Sequence, residues 1–281
     1  MKDKTMIIAA LTGAVTPKDI SEHIPMTPEE IAEDAYKCWK AGASIVHLHM
    51  RDDEGKGTMD VGRFKKSVEL LRAHKDCDVV ICCTSSGSVK KLENHQRMEH
   101  FKTIPDIELG SYDAGTMNWG CTNVFENSPK FLEELAQCYL DNEVKAEVEL
   151  FDMGMITNTN YYIQQGFIKT PIFCQVVLGV LGGAPATVEC LTHLVKHIPE
   201  GSIWSAFGIG KDHLPIMYAA LALGAHGIRV GLEDNVYYSK GVKATNTMLV
   251  ERAVRIVKEF GKEPATPAEA RQIIGLKPLV R

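Results

Sequence analysis

The sequence predicts an α/β protein folded as a (β/α)8 TIM barrel, one domain over residues 1–281 with an extra C-terminal helix. Three observations carry this. Short apolar strand-like runs alternate with helical patterns eight times from end to end. The connections are short, with no linker-like or low-complexity tract and no repeat beyond the alternation itself. Residues 79–84 and 172–178 are nearly continuously apolar, as parallel strands covered on both faces are. A doubly wound open sheet is the alternative fold. It requires a G-x-G-x-x-G turn after the first strand, where this chain has Leu11-Thr12-Gly13-Ala14-Val15.

Residues 6–12 read as the first strand. Thr27-Pro28-Glu29-Glu30 then supplies an N-cap, a proline at the first helical position and a capping-box glutamate. Ile31, Ala35, Cys38 and Trp39 repeat at helical spacing, and Gly42 ends the helix. Strand two covers 44–50 and leads to a helix over 61–74 with Phe64, Val68 and Leu71 on one face. Strand three, 79–84, runs into the polar Ser85-Ser86-Gly87-Ser88 and a charged segment through Lys102. Strand four is short, 106–111, and a long loop over 112–127 precedes a helix over 129–142. Strand five covers 144–151, with a helix through about Gln165. Strand six, 172–178, is followed by the glycine-rich 179–183 and a helix over 187–197. Strand seven, 202–207, leads to a helix over 214–223, and strand eight, 227–231, to the last barrel helix over 246–260. Thr266-Pro267-Ala268-Glu269 opens a terminal helix over the remaining residues.

A hydrophobic content of 45% supports a sizeable core. The formal net charge of −5 argues against nucleic acid or an anionic membrane as main partner. No apolar run approaches the roughly 20 residues that span a bilayer, and the N-terminal Met1-Lys2-Asp3-Lys4 leads straight into a strand rather than a signal segment, so a cytoplasmic protein is expected. The eight cysteines form no C-x-x-C pair and lie mostly in apolar contexts, the pattern of reduced, buried thiols; Cys121 and Cys190 are less clear.

Active sites of such barrels lie at the C-terminal strand ends, so the polar residues there define the candidates. Strand two ends in Val46-His47-Leu48-His49-Met50-Arg51-Asp52. Side chains at i and i+2 of a strand share a face, so His47 and His49 converge and can fill two corners of a zinc site. Two histidines on a half-exposed strand is the ordinary alternative. Strand three contributes Thr84, Ser85 and Gly87, strand four Ser111 and Asp113, and strand five Glu147 and Glu149 on one face. The two glutamates are either pocket-lining or polar, ion-pairing layers of the barrel interior. In strand eight, Arg229 interrupts an apolar run and needs a carboxylate partner, for which Asp234 is placed. Glu233 is then the candidate third ligand, giving two histidines, a carboxylate and an open position, as in catalytic zinc sites. The competing reading of Glu233-Asp234-Asn235 is a turn capping the loop into the last helix. His213 is placed to cap a helix or touch phosphate, whereas His74, His193 and His197 read as surface residues on helices.

Six blocks together resemble the β-keto acid cleavage enzymes: Ala10–Ala14, the H-L-H-x-R-D run at 47–52, Ala114–Asn118, Glu147-Val148-Glu149, the glycine-rich 178–183 and Val230–Asn235. The resemblance covers essentially the whole chain. It implies a (β/α)8 barrel with a divalent metal, usually zinc, held by His47, His49 and Glu233. Asp234 then matches the catalytic base and Arg229 the arginine that orients it, while Thr84, Gly87 and Ser111 match positions that hold the keto acid. The implied reaction joins a β-keto acid to acetyl-CoA and cleaves the product to acetoacetate and a new acyl-CoA, in a homo-oligomer, a tetramer by resemblance. Zinc as Lewis acid and an ionised carboxylate base are the chemistry such an α-deprotonation needs. Where family members acting on a 5-amino keto acid carry a glutamate for the ammonium group, this chain has Val15, which implies an apolar or differently charged distal group. A zinc-dependent hydrolase on a barrel is the rival activity, but it needs further histidines on strands five and six, which have none. A non-catalytic binding scaffold and a lyase acting without a second substrate also compete with it.

Overall fold

A computed structural model describes residues 3–88 and 90–279 of the chain. Eight parallel strands, β1 (Lys4–Ala10), β2 (Ile45–Leu48), β3 (Val80–Cys83), β4 (Leu109–Asp113), β5 (Lys145–Leu150), β6 (Phe173–Leu178), β7 (Ile203–Gly208) and β8 (Gly227–Val230), pair in chain order. β8 pairs back onto β1 with Ile8 opposite Arg229, which closes the barrel. The helices wrap it: α1 (Pro28–Ala41), α2 (Val61–Ala73), α3 (Glu99–Thr103), α4 (Pro129–Asp141), α5 (Met153–Gln164), α6 (Val188–Val195), α7 (His213–Ala222) and α8 (Asn246–Glu259). The expected start signals act as predicted. The Thr27 hydroxyl accepts from the Glu30 amide and Glu30 returns the bond, and Gly42 caps the other end of α1.

Strand alternation divides the interior. Ile7, Val46, Ile81, Val148 and Cys174 face outward into the helix layer. Met6, Ile8, Ile45, Val80, Leu109 and Phe173 fill the lower barrel, where α9 (Pro267–Ile274) seals the N-terminal mouth with Ala270 and Ile274. A short parallel pairing of Glu263 and Pro264 with Lys4 and Thr5 carries the chain beneath the barrel to reach that position. Above this apolar plug the inner strand positions include the polar His47, Glu147, Glu149, Gln175, Ser205 and Arg229, which the site uses.

The structure departs from the sequence-level expectations in several places: β1 runs over Lys4–Ala10 rather than 6–12, and the charged segment after strand three holds the short helix α3. β4 runs from Leu109 to Asp113 rather than over 106–111, because residues 104–107 form a turn in which the Ile107 N–H donates to the Ile104 carbonyl at 3.2 Å. The shift brings Asp113 into the strand. The expected loop over 112–127 contains a hairpin of Met117–Trp119 with Asn123–Phe125, and a second hairpin pairs Tyr237–Ser239 with Val242–Lys243. α9 ends at Ile274 instead of running on; Val280 and Arg281 lie outside the described residues, as do Met1 and Lys2 of the predicted N-terminal lead-in. Among the described residues no helix is long and apolar enough to cross a membrane.

Candidate active site

The C-terminal strand ends open into a cavity of about 1780 Å³. His47, inside β2, and His49, just past it, both line this cavity, with ring centroids 5.1 Å apart. Glu233 reaches them from the β8 side. Its carboxylate oxygens lie 3.4 Å from His49 Nε2 and 3.8 Å from His47 Nε2. Gly231 makes that possible. It takes a φ of 148° against the Ala10 backbone, where an added Cβ would lie 1.9 Å from the carbonyl oxygen, so the chain turns inward there and presents Glu233 and Asp234 to the barrel axis.

Donor atoms of the three residues all lie within 4.8 Å of one another. Tetrahedral zinc with ligands at about 2.0–2.1 Å holds neighbouring donors about 3.4 Å apart, so the trio needs only a small contraction to close on an ion. The Glu233 Oε2 atom is buried without a hydrogen-bond partner, an electron-pair donor left facing the two imidazoles. Burial works against the charge of Glu233, yet the neighbouring His49, Arg229 and His47 hold its carboxyl well below the usual range. Burial pushes His49 down, toward the neutral form that a ligand needs. These residues fit a divalent cation. A second group of possible donors, His47, Cys82 and Glu147, lies deeper and is fully buried; of these three only His47 reaches the cavity lining.

Arg229 is paired as its burial demands. Its Nε donates to Asp234 Oδ2 at 2.9 Å and its Nη2 to Asp234 Oδ1 at 3.0 Å, a bidentate grip. The same guanidinium donates to Glu233 at 2.7 Å and to Glu149 at 3.2 Å, and lies over the Phe207 ring at 4.3 Å. One cation thus organises three carboxyl groups. Burial raises the Asp234 carboxyl above its ordinary value against the pull of Arg229, which makes it a stronger base than a surface aspartate. Glu149 is pushed well above the carboxylate range by burial and by Asp113, its neighbour in register on β4. Glu149 thus both lines the cavity and accepts a hydrogen bond from Arg229.

The predicted polar wall assembles with one change. Thr84 and Ser111 line the cavity, whereas Ser85 is fully buried behind it, its backbone N–H donating to Ser111 Oγ at 3.0 Å. Ser86 takes the cavity-facing place and donates to Asp113 at 2.9 Å. Gly87 packs so closely that a Cβ would stand 2.9 Å from the Thr84 methyl and 3.2 Å from His49 Nδ1. Val15, 60% exposed, presents its methyl groups to the cavity from the β1–α1 loop. His213 is the first residue of α7, after the N-cap Asp212; it lines the cavity, and its ring is bonded to the Gly210 carbonyl and to Arg252. Sequence reasoning missed Arg97, which lines the cavity and ties Ser86, Asn127 and the Ser85 carbonyl together. It also missed Gln175 and Ser205 beneath the site, polar residues inside apolar strands and so visible in principle.

The profile of the beta-keto acid cleavage enzymes matches residues 4–276. A 3-keto-5-aminohexanoate cleavage enzyme of Fusobacterium nucleatum subsp. nucleatum is 41% identical over 99% of this chain and 100% of its own length. A 3-oxoadipate:acetyl-CoA acetyltransferase of Cupriavidus necator is 31% identical over 98% of this chain and 96% of its own. In three dimensions the apo structure of ObcA superposes with a TM-score of 0.81 at 21% identity, covering 91% of this chain and 66% of that one, a likeness of fold. Matched from β1 to just beyond α9, this chain belongs to the beta-keto acid cleavage enzyme family.

Proposed function

We propose that the chain is a divalent-metal-dependent enzyme that condenses a β-keto acid with acetyl-CoA and releases acetoacetate and a new acyl-CoA. The observation that carries this reading is the shared edge of the two clusters: Glu233, in the donor trio with His47 and His49, is bonded to the same Arg229 that grips Asp234. A cation held by His47, His49 and Glu233 supplies Lewis acidity toward a β-keto oxygen. Asp234, held in a fixed orientation by the bidentate grip of Arg229, removes the α-proton. The α-carbon then forms its new bond to the acetyl carbonyl and CoA thiolate leaves; thiolate attack on the original ketone breaks the old carbon–carbon bond. The original acyl group departs on sulfur, and the acetyl and carboxymethyl parts, still joined, take the proton back from Asp234 at the α-carbon to give acetoacetate.

Thr84 and Ser111 offer hydroxyl donors to the substrate carboxylate, and Ser85 acts by holding Ser111. Lys90, Lys211 and Lys240 on the cavity rim suit the phosphates of a coenzyme A ester, and the cavity volume suits two substrates at once. Val15 selects against a distal ammonium group, since methyl groups leave that charge unpaired. The name carried by the Fusobacterium relative therefore does not transfer as a substrate. Chromatography of reactions with zinc-loaded protein, a panel of β-keto acids and acetyl-CoA tests the proposal. A new acyl-CoA that needs both substrates supports it; acyl-CoA or acid formed without acetyl-CoA contradicts it.

A further inference from the structure

Below the three cavity-facing donors lies a line of polar side chains that the proposed chemistry does not touch. Glu147, on the inner face of β5 and two residues before Glu149, is fully buried. Its Oε2 lies 3.5 Å from His47 Nδ1 and 3.1 Å from Cys82 Sγ. Its Oε1 accepts from Gln175 Nε2 at 2.9 Å, and Gln175 Oε1 in turn accepts from Ser205 Oγ at 2.8 Å. β2, β3, β5, β6 and β7 each contribute one residue to this chain of contacts.

Donor accounting settles its hydrogens. The Ser205 hydroxyl donates to the Gln175 oxygen, so the Gln175 amide turns its N–H to Glu147. The Cys82 thiol donates to the other Glu147 oxygen at 3.1 Å. Both carboxylate oxygens are therefore acceptors. His47 Nδ1 lies 3.4 Å from Cys82 Sγ and 3.5 Å from Glu147 Oε2; the thiol hydrogen already goes to Glu147, so Nδ1 meets only acceptors and carries hydrogen, which leaves Nε2 to present a lone pair toward His49 and Glu233. His49 has no such support: its Nδ1 is buried without a partner.

We propose that Glu147 is a positioning residue that fixes His47 in the Nδ1–H tautomer with Nε2 turned to the metal, and that Gln175 and Ser205 hold Glu147 in place. The inference rests on the reading of His47 as a ligand. A carboxylate behind a ligating histidine sets ring orientation and raises ligand basicity, and its loss weakens metal binding by about 10–100-fold. Gln175 acts one step further out, so its removal shifts binding in the same direction by a smaller factor.

The test measures zinc affinity by competition with a chromophoric chelator for wild type, Glu147→Gln, Gln175→Met and His47→Ala. Nitrogen-15 NMR of the metal-free wild type reads the His47 tautomer directly. The expected results are a protonated Nδ1 in wild type, and zinc affinity about 10–100-fold lower in Glu147→Gln with a smaller loss in Gln175→Met. A protonated Nε2 overturns the proposal, as does wild-type affinity in a folded Glu147→Gln. If Glu147→Gln fails to fold, unchanged affinity in Gln175→Met overturns it instead. His47→Ala separates the two levels: if it binds zinc as tightly as wild type, the ligand reading itself falls, whereas loss in His47→Ala beside none in Glu147→Gln removes only Glu147.

Discussion

Arg229 holds Asp234 by both carboxylate oxygens, at 2.9 and 3.0 Å, and with the same guanidinium reaches Glu233 at 2.7 Å. Asp234, the proposed base, and Glu233, the proposed metal ligand, are therefore set against each other by one side chain. Asp234→Asn keeps the shape and removes the proton acceptor. It is expected to lower kcat by about 10²–10⁴-fold, the usual contribution of a general base. Zinc content measured on the same sample stays at the wild-type level, because Asp234 is outside the donor trio.

Arg229→Met leaves Glu233, Asp234 and Glu149 buried without their cation. Breaking a buried ion pair from one side costs about 3–5 kcal/mol. Denaturant unfolding of the metal-free protein should show a loss of that order, accompanied by inactivity. A stability change near zero means that the carboxyl groups find another arrangement.

The buried carboxyl groups set a pH dependence of opposite sign for activity and stability. Asp234 works ionised, and burial raises it above the ordinary value of 3.8, so the acid limb of kcat/KM should lie above that value. Glu149 is raised well above 4.5 by burial and by Asp113. Its folded form binds a proton that the unfolded chain releases, so this stability term is fully present below 4.5 and is lost as pH rises through the raised folded value. Unfolding of metal-free Glu149→Gln across that range should show a flatter pH profile than wild type.

Val15 gives the specificity reading a direct handle. Val15→Glu places a carboxylate in the cavity where the methyl groups now stand. An ion pair formed there is expected to raise kcat/KM for 3-keto-5-aminohexanoate at least about tenfold, equivalent to about 1.4 kcal/mol. The unsubstituted keto acids should lose ground in the same variant. Wild-type protein turning over the amino keto acid as well as the unsubstituted ones contradicts the assignment.

Much of this site was legible because strand alternation and chemistry agree. His47 and His49 share a face, Arg229 needs a carboxylate, and Glu233 and Asp234 follow at the next turn. The capped starts of α1 and α9 read directly from Thr27-Pro28 and Thr266-Pro267. The failures lie where alternation stops. β3 ends at Cys83, so beyond it the chain turns and Ser86 rather than Ser85 faces the cavity. β4 starts three residues later and ends two residues later than expected, because a turn over 104–107 precedes it. The role of Glu147 was invisible because it depends on Gln175 and Ser205, which reach it only when β5, β6 and β7 stand in register.

The measurement that bears most directly on the proposed reaction is the fate of isotope from acetyl-CoA labelled in both acetyl carbons. Zinc-loaded protein is incubated with it and an unlabelled β-keto acid, and both products are analysed by mass spectrometry. The predicted result is acetoacetate carrying both labelled carbons in its ketone and methyl positions, beside an unlabelled acyl-CoA built from the keto acid. Unlabelled acetoacetate, or labelled acetate as the only product, contradicts the account and favours a hydrolase.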